Sequence, residues 1–372
     1  MRDLIVFGED FGGLPSSTQH LVRHLAKRHK VLWVNSIGLR QPRLSMKDVT
    51  RAFNKLFGKT KALTQDMFDS QGHDNITVVN LRTIPAPAST ASRKIAKRMM
   101  LHQLKPIIAD LQLKAPILWT SLPTAVDLCG HLGESSVVYY CGDDFSALAG
   151  VDHKTVAKHE SELIEKSDLI FAASQKLMAK FPERKVQLLP HGVDVSLFST
   201  PTPRAKDLPS SNRPIAGFYG SLSKWLDYDM IEQVANAVPE WDFVFIGPNE
   251  LDTLMLPNLN NVHYLGPRPH HTLPSYSQHW DVSLLPFVDN EQIRACSPLK
   301  LMEYLAAGTP IVTTPFPSLV PYQEHVTTVG SANKMIWALE HTRDLTNSPI
   351  SVVEKDSWKS RGNFVHGMLE LL

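Results

Sequence analysis

Short apolar runs and amphipathic stretches alternate along the chain with the rhythm of βαβ units. Runs at 4–7, 31–34, 76–79, 117–119, 137–140, 169–172 and 186–189 are nearly continuous in branched and aromatic residues, as strands buried on both faces are. Helical periodicity occupies 18–30, 93–111 and 154–166 between them. The alternation predicts an α/β fold with a parallel, doubly wound sheet. A stretch rich in Pro, Ser and Thr at 199–212 interrupts the pattern and reads as a linker. The cycle then restarts with strands at 215–219, 243–246, 262–265, 282–285 and 311–313. The division expected is therefore a first domain over 1–198, a linker over 199–212, a second domain over 213–352 and a terminal helix over 353–372. Two such domains imply a cleft, with ligands bound outside the carboxyl ends of the strands. The loops there carry Gly8, Gly12-Gly13, Gly142-Asp143-Asp144, Gly220, Gly247 and Gly266. Neither the Gly-x-Gly-x-x-Gly dinucleotide fingerprint nor a Walker P-loop occurs, which argues against a dehydrogenase or a P-loop NTPase.

Composition adds bounds. With 372 residues, 43% hydrophobic and 20% charged, the chain can bury two ordinary cores. It has no apolar run of about 18 residues, and its first segment turns polar too soon for a signal peptide, so a cytoplasmic protein is expected. Cys129, Cys141 and Cys296 form no close-spaced pair and read as reduced core thiols. The net charge of +1 conceals an asymmetry. Residues 1–190 hold 26 Lys and Arg against 18 Asp and Glu, whereas residues 191–372 hold 12 against 19. Cations gather in two segments, 43–61 and 93–105; the second interleaves Arg93, Lys94, Lys97, Arg98 and Lys105 with Ile95, Met99, Met100, Leu101 and Leu104. Such basic amphipathic stretches suit an anionic membrane, so the protein is expected to sit peripherally on the inner face of the plasma membrane; packing on the domain is the alternative.

The densest local chemistry lies in the run from Ser297 to Val312. Lys300 and Glu303 are three apart and share a face if 299–307 is helical. The amides near Ser297, Pro298 and Leu299 would be unpaired donors at a positive helix end. An anion with a diol beside it, as in a nucleotide diphosphate, matches this arrangement, with Glu303 accepting from ribose hydroxyls.

The order of further motifs carries a resemblance. Gly12-Gly13, His191-Gly192-Val193-Asp194 with Phe198, Gly220 after the first strand of the second half, Ile246-Gly247, Leu265-Gly266, the 281–286 run and the 297–312 run occur in sequence. Together they resemble the GT-B retaining glycosyltransferases of the family 4 type, the group 1 glycosyl transferases, over nearly the whole chain. The segments 140–146 and 220–227 are similar to a subgroup of teichuronic acid and exopolysaccharide enzymes. The resemblance implies two Rossmann-like domains facing a cleft and a last helix crossing back to the first domain. It implies transfer from a nucleotide-sugar to a saccharide or lipid-linked acceptor with retention, without metal or cofactor, and no dealings with nucleic acid.

Site residues follow from that likeness. Glu303 matches the ribose-binding carboxylate, and Lys300 becomes a phosphate or sugar contact. Gly220, Ser221, Lys224, Gly247, Gly266, Gly12 and Gly13 would frame the donor. Two departures stand out: Ala295 occupies the place of an upstream glutamate that touches the transferred sugar, and Ser221 that of an arginine. Asp143 and Asp144 could orient or deprotonate the acceptor, with helix capping as the alternative. His20, His191 and Asp227 are candidates for acceptor or cleft contacts, Trp225 is either a contact or a plug, and His270-His271 read as surface residues. A 2-epimerase or a non-catalytic nucleotide-sugar-binding scaffold is the competing function.

Overall fold

The computed structural model describes residues 2–13, 16–37, 75–145, 152–297, 299–342 and 349–372. The basic segment 43–61 and Pro298 lie outside these. The chain divides into two compact units: unit 1 comprises Met1–Pro190 and Arg361–Leu372, and unit 2 comprises His191–Ser360.

Unit 1 holds strands β1 (Leu4–Phe7), β2 (Val31–Val34), β3 (Ile76–Val79), β4 (Ile117–Thr120), β5 (Ser136–Cys141), β6 (Leu169–Ala172) and β7 (Val186–Leu188). They form one parallel sheet in the order β3-β2-β1-β4-β5-β6-β7. Unit 2 repeats the plan with β8 (Ile215–Tyr219), β9 (Asp242–Ile246), β10 (Val262–Gly266), β11 (Val282–Leu285), β12 (Ile311–Thr313) and β13 (Thr327–Thr328), ordered β10-β9-β8-β11-β12-β13. Strand β13 has only two residues, too short for an apolar run to announce it. Central strands are buried throughout, which is why they read as unbroken hydrophobic runs. Each sheet reverses direction of growth at one place, between β1 and β4 in unit 1 and between β8 and β11 in unit 2. Those switch points are where crevices open at the carboxyl ends.

Helices that matter to the chemistry are α1 (Ser17–Leu25), α2 (Thr90–Asp110), α3 (His153–Lys166), α4 (Tyr228–Ala237), α5 (Glu291–Ala295), α6 (Leu299–Ala307) and α7 (Trp358–Glu370). Helix α1 begins where Ser16 caps Gln19 N–H, and it buries Leu21, Val22 and Leu25 against the sheet. Helix α2 is the basic stretch, and its apolar residues divide between the core and the surface. Met100 and Leu104 are buried in the unit, while Ile95 and Met99 are exposed. Arg93 is turned inward and binds Asp127 through Nε at 2.9 Å and Glu162 through Nη1 at 2.8 Å. Lys94, Arg98 and Lys105 face solvent.

The stretch 199–212 is folded onto unit 2. Gln278 Oε1 accepts from Thr202 N–H at 2.9 Å, Ser275 O accepts from Ala205 N–H at 2.9 Å, Leu208 is buried, and Asp207 pairs with Arg268. The division between the units falls at Pro190/His191, ahead of the turn-rich segment. Pro and Ser content signals irregular backbone but cannot distinguish a linker from a packed strap. Helix α7 leaves unit 2 after Trp358, whose ring lies against Gly192. From Arg361 onward it belongs to unit 1, where Gly362 lets it approach the His24 ring, Asn363 meets His24 at 3.0 Å and His366 meets the buried His29 at 3.1 Å.

Candidate functional site

In unit 2 the site is built at the carboxyl ends of β8, β9 and β10 and at the start of α6. Gly220 and Gly247 close β8 and β9 with φ of 142° and 139°, conformations that side-chain-bearing residues avoid. A Cβ on Gly247 would lie 2.0 Å from Gly220 O, and one on Gly220 would lie 1.8 Å from Lys300 Cε. The two glycines therefore let the strand ends nest and let the Lys300 stem cross them. The end of β10 joins the nest, since Gly247 N–H donates to Gly266 O at 3.0 Å.

Helix α6 is amphipathic in the required sense: Leu301, Met302, Leu305 and Ala306 are buried in the core. Tyr304 fixes it to the sheet, its hydroxyl accepting from Tyr219 N–H at 3.0 Å. Lys300 and Glu303 consequently share one face at the switch point, as their spacing predicts. Lys300 Nζ sits 5.9 Å from the centre of the Phe218 ring. Burial pushes the Lys300 pKa down, against the pull of Glu303, Cys296 and Glu250.

Glu303 is buried, and its Oε1 lies 2.7 Å from His270 Nε2. Burial alone would raise the Glu303 pKa; the charge and hydrogen bond of His270, with Tyr219 and Lys300 nearby, outweigh it and hold the carboxyl below its ordinary value. For His270 burial acts to lower the pKa, and Glu303 and Asp194 together raise it. Each partner thus favours the charged form of the other. Phe198 meets the His270 imidazole edge-on at 5.5 Å and stacks on the Tyr219 ring at 6.4 Å. The Tyr219 hydroxyl is buried beside Glu303 without a well-aligned hydrogen bond to any described residue. Glu303, the Tyr219 phenol and the Lys300 amine are thus neighbours, a set able to hold a diol next to an anion.

His270 corrects the surface reading of His270-His271. Its signal was present, since it follows Gly266 in the loop after a strand, but its partner lies 33 residues away. Tyr219 was likewise overlooked as an ordinary strand residue. Of the remaining unit 2 candidates, Ser297 is buried, Leu299 and Ser221 are half-buried, and Lys224 is exposed. Asp227 caps α4, accepting from Met230 N–H at 2.9 Å, so its role is structural. Trp225 packs against the core and His191 is half-buried. Ala295 is buried in α5, and the nearby Glu291 is spent on Arg294, which also binds Asp289 at the surface.

Unit 1 contains the other candidates. Gly12 has φ of 78° and donates its N–H to Gln19 Oε1 at 3.0 Å; Gly13 N–H donates to Asp10 O at 3.0 Å. His20 is half-buried on α1. Asp144 is buried and bound to Lys180 at 2.6 Å, whereas its neighbour Asp143 is exposed at the loop tip. Crowding protein and the Asp144 charge raise the Asp143 pKa. A second acid, Glu9 in the loop after β1, was missed although it adjoins Gly8 at a strand's carboxyl end. Burial holds its carboxyl at about 7, with Asp143 and Asp10 adding to the effect.

Comparison with known proteins agrees with this architecture. Residues 213–342 match the family model for glycosyl transferases group 1. The putative teichuronic acid biosynthesis glycosyltransferase TuaH of Bacillus subtilis (strain 168) is 28% identical over 248 residues, which are 60% of this chain and 62% of that protein. The chain thus spans less than two thirds of the length of this curated relative. Among solved structures, Anabaena Alr3699/HepE in complex with UDP and glucose superposes with a TM-score of 0.69 at 12% identity, covering 100% of both chains. Sucrose-phosphate synthase (tll1590) from Thermosynechococcus elongatus gives 0.68 at 13% identity, covering 100% of this chain and 99% of that one. The family match lies in unit 2, and the paired parallel-sheet units have the architecture of the GT-B fold.

Proposed function

We propose that the protein is a glycosyltransferase of cell-surface polysaccharide biosynthesis, moving a sugar from a nucleotide diphosphate to a saccharide or lipid-linked acceptor with retention. The constellation of Lys300, Glu303 and His270 carries this reading. Glu303, anchored through Oε1 and ionised, would accept from ribose hydroxyls with the Tyr219 phenol beside it. Lys300, held over Gly220, faces the diphosphate and stabilises the charge that grows on it as the sugar–phosphate bond breaks. Fixed donors and a cation do this without reorganising in the transition state, and transfer is expected to persist in a chelator. The TuaH name supports an acceptor of the kind used in teichuronic acid biosynthesis, and the UDP and glucose of the HepE complex support a UDP-linked sugar as donor.

A thermal-shift screen with UDP-, GDP-, dTDP- and ADP-linked sugars tests the donor. A ligand at 100 times its Kd stabilises by about 2.7 kcal/mol. A shift with UDP-sugars and slow release of free sugar are expected; inversion at C2 would indicate an epimerase, and binding without turnover a scaffold. The absence of any shift across the panel would contradict the reading.

The site of acceptor delivery is proposed to be an anionic bilayer surface. No described helix is long and apolar enough to cross a membrane. On α2, however, exposed Lys94, Arg98 and Lys105 lie beside exposed Ile95 and Met99. Each basic residue near such a surface contributes about 1 kcal/mol. Flotation with anionic vesicles should decline in high salt and in a K94E/R98E/K105E variant; equal binding to neutral vesicles would refute the electrostatic part.

A further inference from the structure

We propose that Asp207 is a positioning residue of the donor site, holding, through Arg268, the loop after β10 in the course that brings His270 to Glu303; this rests on the donor-binding reading above. The loop begins at Gly266, whose φ of 71° suits a residue without a side chain. Pro267 and Pro269 then stiffen the backbone on either side of Arg268. His270 opens a single turn, His270–Thr272, in which Thr272 N–H donates to Pro269 O at 3.0 Å and Leu273 N–H to His270 O at 3.1 Å. No residue from 266 to 272 is buried, and the chain rejoins the core only at Leu273. Hydrophobic packing therefore does not set the course of this loop; polar ties must.

Those ties converge on Asp207. Its Oδ2 accepts from Arg268 Nε at 3.1 Å and Nη2 at 2.6 Å, and its Oδ1 accepts from the Tyr276 hydroxyl at 2.8 Å. Arg268 Nε also meets the Tyr276 hydroxyl at 3.1 Å, which closes a triangle, and Nη1 donates to Pro267 O at 3.0 Å within the loop itself. Tyr276 is buried, so the core sets one corner. The strap over 199–212 sets another: the buried Leu208 follows Asp207, Leu208 N–H donates to Ala205 O at 3.3 Å, and Ala205 N–H donates to Ser275 O at 2.9 Å. Burial acts to raise the Asp207 pKa, but the hydrogen bonds from Arg268 and Tyr276 outweigh it and hold the carboxyl below its ordinary value. Asp207 is therefore an anion throughout the neutral range.

Fold stability does not account for this triangle. Arg268 and Asp207 keep 30% and 40% of their side-chain surface exposed, and ion pairs so exposed add little to global stability. A guanidinium forked onto a carboxylate does fix direction, and His270 lies two residues beyond Arg268. The chain leading into the strap also reaches the imidazole directly. Phe198 meets its ring at 5.5 Å; Gln278 Nε2 donates to Phe198 O at 2.7 Å, and Gln278 Oε1 accepts from Thr202 N–H at 2.9 Å. With His270 in place, Glu303 is oriented before a donor arrives. With the loop released, the same carboxylate must be ordered on binding, at a cost in affinity.

Two measurements test this. Without ligand, the amides of Thr272 and Leu273 should exchange faster in D207N than in the wild type, while the strands of unit 2 keep their protection. Unchanged exchange at those amides would overturn the proposal whatever the donor. In calorimetric titrations with UDP, D207N should raise Kd about tenfold in the wild-type background and by less than about twofold in H270Q, because both substitutions act through one imidazole. The fall in UDP affinity with rising pH should be flattened in D207N as in H270Q. Y276F, which loses only the hydroxyl, should show the same changes to a smaller degree, and it carries the test if D207N does not fold. An equal loss from D207N in both backgrounds, or unchanged affinity in D207N and Y276F, would overturn the role of Asp207. Failure of the wild type to bind UDP would instead remove the donor-binding reading, and the role of Asp207 in it, whatever the exchange result.

Discussion

Unit 1 and unit 2 have sheets of the same strand order, and each places a glutamate beside its switch point, yet the two acids are driven in opposite directions. Glu303 meets the His270 imidazole at 2.7 Å with Lys300 one turn away, and its pKa is held below the ordinary value despite burial. Glu9 meets hydroxyl and amide groups, with Asp143 and Asp10 acting on it, and its pKa rises to about 7. Burial is common to both, so what separates them is the charge of the partner. A fixed anion suits a binding site that must hold a diol beside a diphosphate.

The sharpest way to break this comparison is to remove the cation of unit 2. Lys300→Ala should lower kcat about 100- to 1,000-fold, since the leaving diphosphate loses its charge partner. Steady-state rates with UDP-glucose or UDP-N-acetylglucosamine would show it, and an effect confined to KM would mean that Lys300 acts only in binding.

His270 sharpens the contrast at the level of pH. Its pKa is raised in the folded protein, so the charged pair is complete at low pH and is lost as pH rises through that raised value. Donor affinity should decline about tenfold over that rise, in keeping with the loss of one hydrogen bond to a charged group, worth about 1.5 kcal/mol. His270→Gln should bind with the weaker affinity at every pH, giving a flat profile in calorimetric titrations. A variant retaining the wild-type slope would assign the pH dependence to another group.

The smallest expected effect is on the stability of unit 1. Glu9 has a folded pKa near 7 against an ordinary value of 4.5, so the fold binds its proton more tightly than the unfolded chain does. Stability from this group is complete below pH 4.5 and declines as pH rises through 7. Glu9→Gln should therefore be nearly equal to the wild type at pH 4.5 and more stable at pH 8, by about 1–2 kcal/mol once the effect is discounted for the half-exposed setting of Glu9. Denaturant unfolding at the two pH values measures the difference.

How far the sequence discloses these two sites depends on how local they are. The Lys300–Glu303 pair is legible because both residues sit on one short helix, and the strands were legible because parallel sheets bury both faces. His270 was read as surface because its charge partner is fixed by the meeting of β10's loop with α6, a tertiary fact. The Glu9–Asp143 relation spans β1 and β5, and strand order, not spacing, brings their loops together. The stretch 199–212 shows the converse: its composition was informative about backbone irregularity and silent about the Gln278 side chain that binds it.

The most direct test is one set of calorimetric titrations with UDP-glucose and UDP-N-acetylglucosamine at pH 7, on the wild type, Glu303→Ala and Glu9→Gln. The expected result is a 10- to 100-fold loss of affinity for Glu303→Ala, in keeping with a hydrogen bond to a charged group worth about 1.5–3 kcal/mol, and less than a twofold change for Glu9→Gln. Undiminished binding by Glu303→Ala, or an equal loss in both variants, would contradict the assignment of donor binding to unit 2.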